Sequence, residues 1–296
     1  MVGSGPYLRS PMPYPSFGPM SPRSQPGEAG SILEEPRYSP LIGEGHRGKT
    51  VLVTGGATGL GRSICLEFGR IGCNVAFCFV GMPGRDVREQ ALLTETTLSA
   101  MGVGVYADVC DVRDRHAVAE FVYQVCDRFD TIHYLVNNAG IANDGALWRL
   151  SPQDWAEVMD TNLTGAFNCI SAVAPIYRGQ RYGKIVSVST HQADHPGFGV
   201  APYAASKAGL EGLTRAAAVD LGPSNVNVNA VAPGFVRTER LEQLPGEVIE
   251  RAKKGAVLGR IAEPSDVAQV VAFLCSEAAR HITGQVLSVD GGMSLG

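Results

Sequence analysis

Seven short β-branched runs that alternate with longer helical patterns predict a doubly wound α/β sandwich, one parallel sheet of seven strands with helices on both faces. Three observations carry that prediction. The runs are nearly continuous in apolar residues, as strands buried on both faces must be. The helical stretches between them supply the right-handed crossovers that parallel neighbours need. With 296 residues, 45% hydrophobic and 18% charged, the chain has the balance of a globular protein with a sizeable core.

In chain order the strands are expected at "TVLVT" (50–54), "NVAFCFV" (74–80), "VGVYADV" (103–109), "IHYLVN" (132–137), "KIVSVS" (184–189), "NVNVNAV" (225–231) and "QVLSVD" (285–290). Helical patterns cover 61–70, 87–101, 114–129, 152–178 and 202–221. No second domain and no repeat beyond the βα unit is visible. Residues 1–46 differ. The segment "GPYLRSPMPYPSFGPMSPRSQPGEAG" is rich in Pro, Gly and Ser, without helical or strand period. Such a stretch buries too little apolar surface to offset its ordering entropy, and it is read as a disordered tail before a domain at 47–296. It has no apolar core for a secretory signal. Arg9 and Arg23 precede any acid, as in an organelle transit peptide, but the prolines would break the amphipathic helix such peptides use.

The net charge is −4 with scattered basic residues, so nothing points to nucleic acid. No apolar run has the length of a membrane span. The 7 cysteines are odd in number, lack C-x-x-C spacing and sit mostly in apolar segments. That pattern argues for a reducing, cytoplasmic setting and against disulfides or zinc.

Ligands of such a sheet bind at the carboxyl ends of its strands, and the chemically suggestive residues fall there. "VTGGATGLGRSI" links the first strand to the first helix. Gly55, Gly59 and Gly61 would let backbone N–H groups approach a pyrophosphate at the helix N-terminus. At the end of the second strand Phe79 and Val80 stand where a carboxylate would bind the ribose hydroxyls of NAD. With no acid to repel a 2′-phosphate, NADP(H) is favoured over NAD(H), and Arg85 would reach that phosphate. Tyr203 and Lys207, four apart in "YAASK", share one helical face. A free phenol with a pKa of about 10 is a poor base at neutral pH, and a nearby ammonium favours the phenolate. In "THQADHP", His191, Asp194 and His195 have no fixed ligand spacing, so pocket lining is expected and no metal.

Taken together, T-G-x-x-x-G-x-G, N-N-A-G at 137–140, Tyr203/Lys207 and "PGFVRT" at 233–238 resemble the short-chain dehydrogenase/reductase family. The resemblance runs from Arg47 to the C-terminus. It implies a Rossmann fold in a single domain and a nicotinamide cofactor. It also implies a dinucleotide site built from Gly55, Thr58, Gly59, Leu60, Gly61, Asp111, Val112, Asn138, Ala139, Gly140, Tyr203, Lys207, Pro233, Gly234, Val236 and Thr238. The implied catalytic set is Asn162, Thr190, Tyr203 and Lys207. Tyr203 would exchange a proton with the substrate oxygen, Lys207 would bind the nicotinamide ribose, and Asn162 would hold a relay water. Thr190 stands where the family usually has serine. It keeps the hydroxyl and adds a methyl that narrows the pocket. A bulge would present Ser189 instead.

"LVNNAGIANDGALWRL" and "AFLCSEAARHITGQVLSVDGGM" are most similar to 3-oxoacyl-carrier-protein reductases. This implies a homotetramer and an acyl-carrier-protein partner, with Arg181 at one docking position and Ser224 where a second arginine is usual. Residues 240–260 resemble the family's substrate lid, and they also read as a plain amphipathic surface helix. A free ketone, a sugar alcohol or a secondary-metabolite intermediate is the alternative substrate. A dinucleotide-binding scaffold without catalysis is the remote one.

Overall fold

The computed structural model describes residues 45–81, 87–242 and 245–295. The proposed reach of Arg85 and nearly all of the Pro-rich tail lie outside the described residues. The elements run β1 (Thr50–Thr54), α1 (Gly59–Arg70), β2 (Asn74–Phe79), α2 (Arg88–Ala100), β3 (Val105–Val109), α3 (Arg115–Phe129) and β4 (Tyr134–Asn137). Then follow α4 (Pro152–Met159), α5 (Gly165–Gln180), β5 (Gly183–Val188), α6 (Ala201–Leu221) and β6 (Val226–Pro233). The chain closes with α7 (Glu239–Glu242), α8 (Gly246–Gly255), α9 (Pro264–Cys275) and β7 (Val286–Val289).

All seven expected strands form, and every pairing is parallel, in the order β3-β2-β1-β4-β5-β6-β7. The direction of strand addition reverses between β1 and β4, which opens a crevice at their carboxyl ends. Val53 aligns with both Phe77 of β2 and Val136 of β4.

Alternation along the strands feeds two cores. Val51, Val53, Val75, Phe77, Tyr134 and Val136 pack under α1, α2 and α9. Their neighbours Leu52, Ala76, Cys78, Leu135 and Ile185 pack under α3, α5 and α6. Both faces are therefore sealed, and the polar chemistry is confined to the strand ends.

Three boundaries differ from the sequence expectation. His46, expected in the tail, is 1% exposed, with its ring edge-on to Phe68 and Tyr134 at 6.1 and 5.4 Å. The imidazole fills the base of the core, so the folded chain includes it. The helix expected over 152–178 is interrupted by a π-helical turn, Asp160–Thr164, between α4 and α5. One added residue in that turn swings Asn162 inward, where it is 1% exposed. Helix α9 was absent from the expected set. Its residues are apolar nearly all round and lack a clear amphipathic period, although Pro264 at its start and the Glu263/Asp266 capping box mark its N-terminus.

Candidate active site

The turn after β1 carries two glycines in the left-handed region, Gly55 (φ 68°) and Gly59 (φ 54°), where a side chain would be strained. At Gly61 a Cβ would collide with the Gly55 carbonyl oxygen and come within 2.5 Å of Asn138 Nδ2. Thr54 and Asn138 lock this turn to β4. Thr54 Oγ1 accepts from the N–H groups of Asn138 and Ala139 at 3.0 Å each, while Asn138 Nδ2 donates to the Thr54 and Gly55 carbonyls at 2.9 and 3.2 Å. Neither Thr58 at the N-cap nor any acid in the first turn occupies the start of α1. Its N–H groups and positive dipole end thus face the crevice ready for an anion.

The sequence motif around Asp111 needs the structure to be understood. Arg113 grips the Asp111 carboxylate with two nitrogens at 2.6 and 3.0 Å, which holds its pKa below the usual carboxylate range. Val112 is buried in the core, and its carbonyl accepts from Asn168 at 2.9 Å. At the end of β2, Phe79 packs against Phe77 and pairs with Val109. Among the described residues that follow β2, Val80 and Gly81, no carboxylate stands at that strand end.

Lys207 reaches from α6 to β5, where its ammonium donates to the Val188 carbonyl at 2.7 Å. It is 3% exposed, and burial pushes its pKa down to about 8. The same ammonium lies 5.8 Å from the centre of the Tyr203 ring. Asn162 clamps Ile141 at both ends: its Oδ1 accepts from the Ile141 N–H at 2.8 Å and its Nδ2 donates to the Ile141 carbonyl at 2.9 Å. The amide also donates to Ser206 Oγ at 3.0 Å, and Ser206 in turn donates to the Tyr203 carbonyl at 2.8 Å. Ser206 and Ile141 were not singled out from sequence, because a serine inside a helix carries no local signature of a tertiary contact. Gly140 belongs to the same cluster: a Cβ there would sit 3.2 Å from Asn162 Oδ1 and 3.4 Å from Lys207 Nζ.

Thr190 and Tyr203 line one cleft of about 290 Å³, together with Leu60, Val236 and Thr238. Ser189 sends its hydroxyl the other way, donating to the buried Glu211 carboxylate at 2.7 Å. Strand alternation persists to the end of β5, and no bulge reorients it. Of the "THQADHP" loop, His191 and Gln192 line the cleft, while Asp194 and His195 are exposed. His191 stacks at a tilt against Phe235, 5.7 Å between ring centres, and burial lowers its pKa.

The loop after β6 bridges both halves of the cleft. Val236 forms an isolated parallel bridge with Ala262, and the Thr238 methyl lies 3.7 Å from the place a Gly59 Cβ would take. Gly234 is packed so closely on Asp290 and Met293 that a Cβ would come within 3.0 Å of backbone. Leu241 of α7 lines the cleft and also packs with Ala252 and Ile261, so the segment expected as lid or amphipathic helix carries a small core of its own. Arg181 lies elsewhere. It precedes β5, at the opposite end of that six-residue strand from Thr190, and donates to the Pro223 carbonyl at 3.2 Å. A strand of that length spans roughly 20 Å, so Arg181 does not flank the cleft of its own chain.

A family model described as "Enoyl-(Acyl carrier protein) reductase" matches residues 55–294. The chain is 40% identical over 245 residues to the 3-oxoacyl-[acyl-carrier-protein] reductase of Staphylococcus aureus strain N315, covering 83% of this chain and 98% of the relative. It is 39% identical over 246 residues to the enzyme of that name from Thermotoga maritima, again covering 83% and 98%. The chain belongs to the short-chain dehydrogenase/reductase family. A crystal structure of a Sinorhizobium meliloti 1021 protein described as a short-chain alcohol dehydrogenase superposes with a TM-score of 0.77 at 32% identity, over 83% of this chain and 96% of that one. As a member of this family the protein is an oxidoreductase of carbonyl and secondary-alcohol groups that uses a nicotinamide dinucleotide. The residues present fit that cofactor. Gly55 and Gly61 hold the turn tight against Asn138 and Ala139, and the uncapped start of α1, with no acid in its first turn, offers its N–H groups to a pyrophosphate. Among the described residues, no helix is long and apolar enough to cross a membrane.

Proposed function

We propose that the protein is an NADP(H)-preferring reductase of 3-oxoacyl thioesters, with Thr190, Tyr203, Lys207 and Asn162 as its catalytic set. The observation that carries this reading is the buried Lys207 ammonium beside Tyr203, in a cleft that Thr190 shares. Bound nicotinamide supplies the hydride that reduces the carbonyl carbon.

The chain's own residues do the rest. Gly55, Thr58, Gly59, Leu60 and Gly61 hold the pyrophosphate end, Asp111 and Val112 the adenine, and Asn138, Ala139 and Gly140 the adjoining ribose. Pro233, Gly234, Val236 and Thr238 position the amide end, with Lys207 on the ribose. Thr190 donates to the substrate carbonyl oxygen and Tyr203 gives its proton to that oxygen as negative charge develops there. The Lys207 ammonium favours the phenolate that remains. Asn162, held rigid by Ile141 and Ser206, fixes the π-helical turn beside Lys207 so that a relay to solvent can refill the proton. Phe79 in place of an acid supports NADP(H). Cytoplasmic location and a homotetramer complete the reading, the latter checked by light scattering.

One observation favours a second substrate. Arg181 stands away from the cleft and Ser224 beside it is uncharged, so the cationic surface that an acidic carrier protein would dock on is not assembled at the cleft of this chain. A free ketone, a sugar alcohol or a secondary-metabolite intermediate is that alternative. NADPH oxidation measured over acetoacetyl thioesters, free and carrier-bound, and over simple ketones separates the two. Fastest turnover of the thioesters is expected. Turnover of free ketones alone would assign the second reading, and a preference for NADH would overturn the cofactor assignment.

A further inference from the structure

We propose that a groove at the amino ends of the strands, framed by Lys49, Lys184 and Arg280, is a second binding site whose ligand is a phosphate group. The groove has a volume of about 460 Å³ and lies at the amino end of β5, opposite the end that carries Thr190. Lys184 forms its floor. This lysine is 3% exposed, and its ammonium donates to Asn227 Oδ1 at 2.8 Å, with the Glu277 carboxylate only at 3.7 Å. Lys49 and Lys184 both face the Tyr182 ring, 4.7 and 5.4 Å from its centre. Two ammonium groups are therefore gathered around one aromatic ring, which concentrates positive charge on this side of the groove.

Among the described residues Glu277 is the one carboxylate lining the groove, and it also accepts from the Tyr182 hydroxyl at 3.1 Å. Among the described lining residues, three cations against one carboxylate leave a surplus of two positive charges along an open groove. A phosphate carries about −1.5 to −2 at neutral pH and accepts hydrogen bonds on several oxygens at once, which suits a groove lined by two lysines and an arginine. A carboxylate offers less charge and a single plane. Burial lowers the Lys184 pKa, as expected of an ammonium poorly compensated by its own chain.

The test uses the full chain, first saturated with NADPH as followed by calorimetry, so that the catalytic crevice is filled. Inorganic phosphate and glycerol 3-phosphate are then titrated, with sodium chloride at matched ionic strength as the reference. Saturable binding at one site per chain is expected. In Lys49→Gln/Arg280→Gln the dissociation constant should rise by about tenfold or more, with kcat unchanged, because both residues stand apart from the catalytic set. Arg280→Gln alone should weaken binding, which covers the case where the double variant folds poorly. Tighter binding of glycerol 3-phosphate marks an organic phosphate as the occupant, equal binding marks the free ion, and either result keeps the site. No saturable binding to the NADPH-saturated protein, or an unchanged affinity in the variants, would overturn it.

Discussion

Lys207 and Tyr203 sit one helical turn apart on α6, with the ammonium 5.8 Å from the centre of the phenol ring. The lysine is anchored at its far end by the Val188 carbonyl at 2.7 Å, so its position is set by β5 as well as by its own helix. Burial of a charge at that point costs stability, and the fold retains it where the chemistry needs it.

In the proposed mechanism, reduction needs Lys207 charged and Tyr203 protonated. Lys207 is held down to about 8, so kcat/KM for the dinucleotide, which reports the free enzyme, should fall as pH rises through about 8. A profile flat to pH 10 would contradict this. The same shift affects stability with a defined sign. The unfolded chain keeps the lysine proton up to its ordinary value of 10.5, so between about 8 and 10.5 the unfolded state binds more protons and stability rises with pH. Urea denaturation should show a steeper rise in the wild type than in Lys207→Met, the difference being the contribution of this lysine.

Thr190 and Ser189 should respond oppositely to loss of the hydroxyl. Thr190→Ala is expected to lower kcat by about 10²–10³-fold, the usual cost of one oxyanion donor, while Thr190→Ser stays near wild type. Ser189→Ala leaves the buried Glu211 carboxylate without its donor at 2.7 Å and should cost about 1–3 kcal/mol of stability with kcat little changed. Steady-state kinetics and thermal denaturation of the three variants make the comparison.

Gly61→Ala places a methyl against the Gly55 carbonyl, where only backbone could move. The expected cost is about 1–3 kcal/mol of stability, together with loss of dinucleotide affinity. NADPH fluorescence titration beside a melting curve measures both, and unimpaired binding would remove the pyrophosphate turn from the account.

At the end of β2, Phe79→Asp restores an acceptor for ribose hydroxyls and a charge that repels a 2′-phosphate. The ratio of kcat/KM for NADPH over NADH should drop by about tenfold or more.

Much of this molecule was readable in its residues. The β-branched runs named all seven strands: the five inner ones are buried on both faces and have little latitude in composition, and the edge strands β3 and β7 keep the same apolar runs although they are partly exposed. Gly55, Gly59, Gly61, Tyr203 and Lys207 were readable because each is fixed by local geometry: a positive φ, a close approach, or a four-residue helical spacing. The helical interruption at Asp160–Thr164 was not, since one extra residue per turn leaves the apolar pattern nearly intact. Ser206 was missed because its role depends on Asn162, forty-four residues earlier. His46 was assigned to the tail because a lone polar residue after a Pro-rich stretch gives no sign of the space it fills between Phe68 and Tyr134. The place of Arg181 was readable too: it precedes β5, so it lies at the amino end of that strand, away from the carboxyl end that carries Thr190.

The most direct test replaces one oxygen atom. Tyr203→Phe should bind NADPH as tightly as the wild type by fluorescence titration and yet reduce acetoacetyl thioester at least about 10²–10⁴-fold more slowly. Undiminished turnover by that variant would contradict the account.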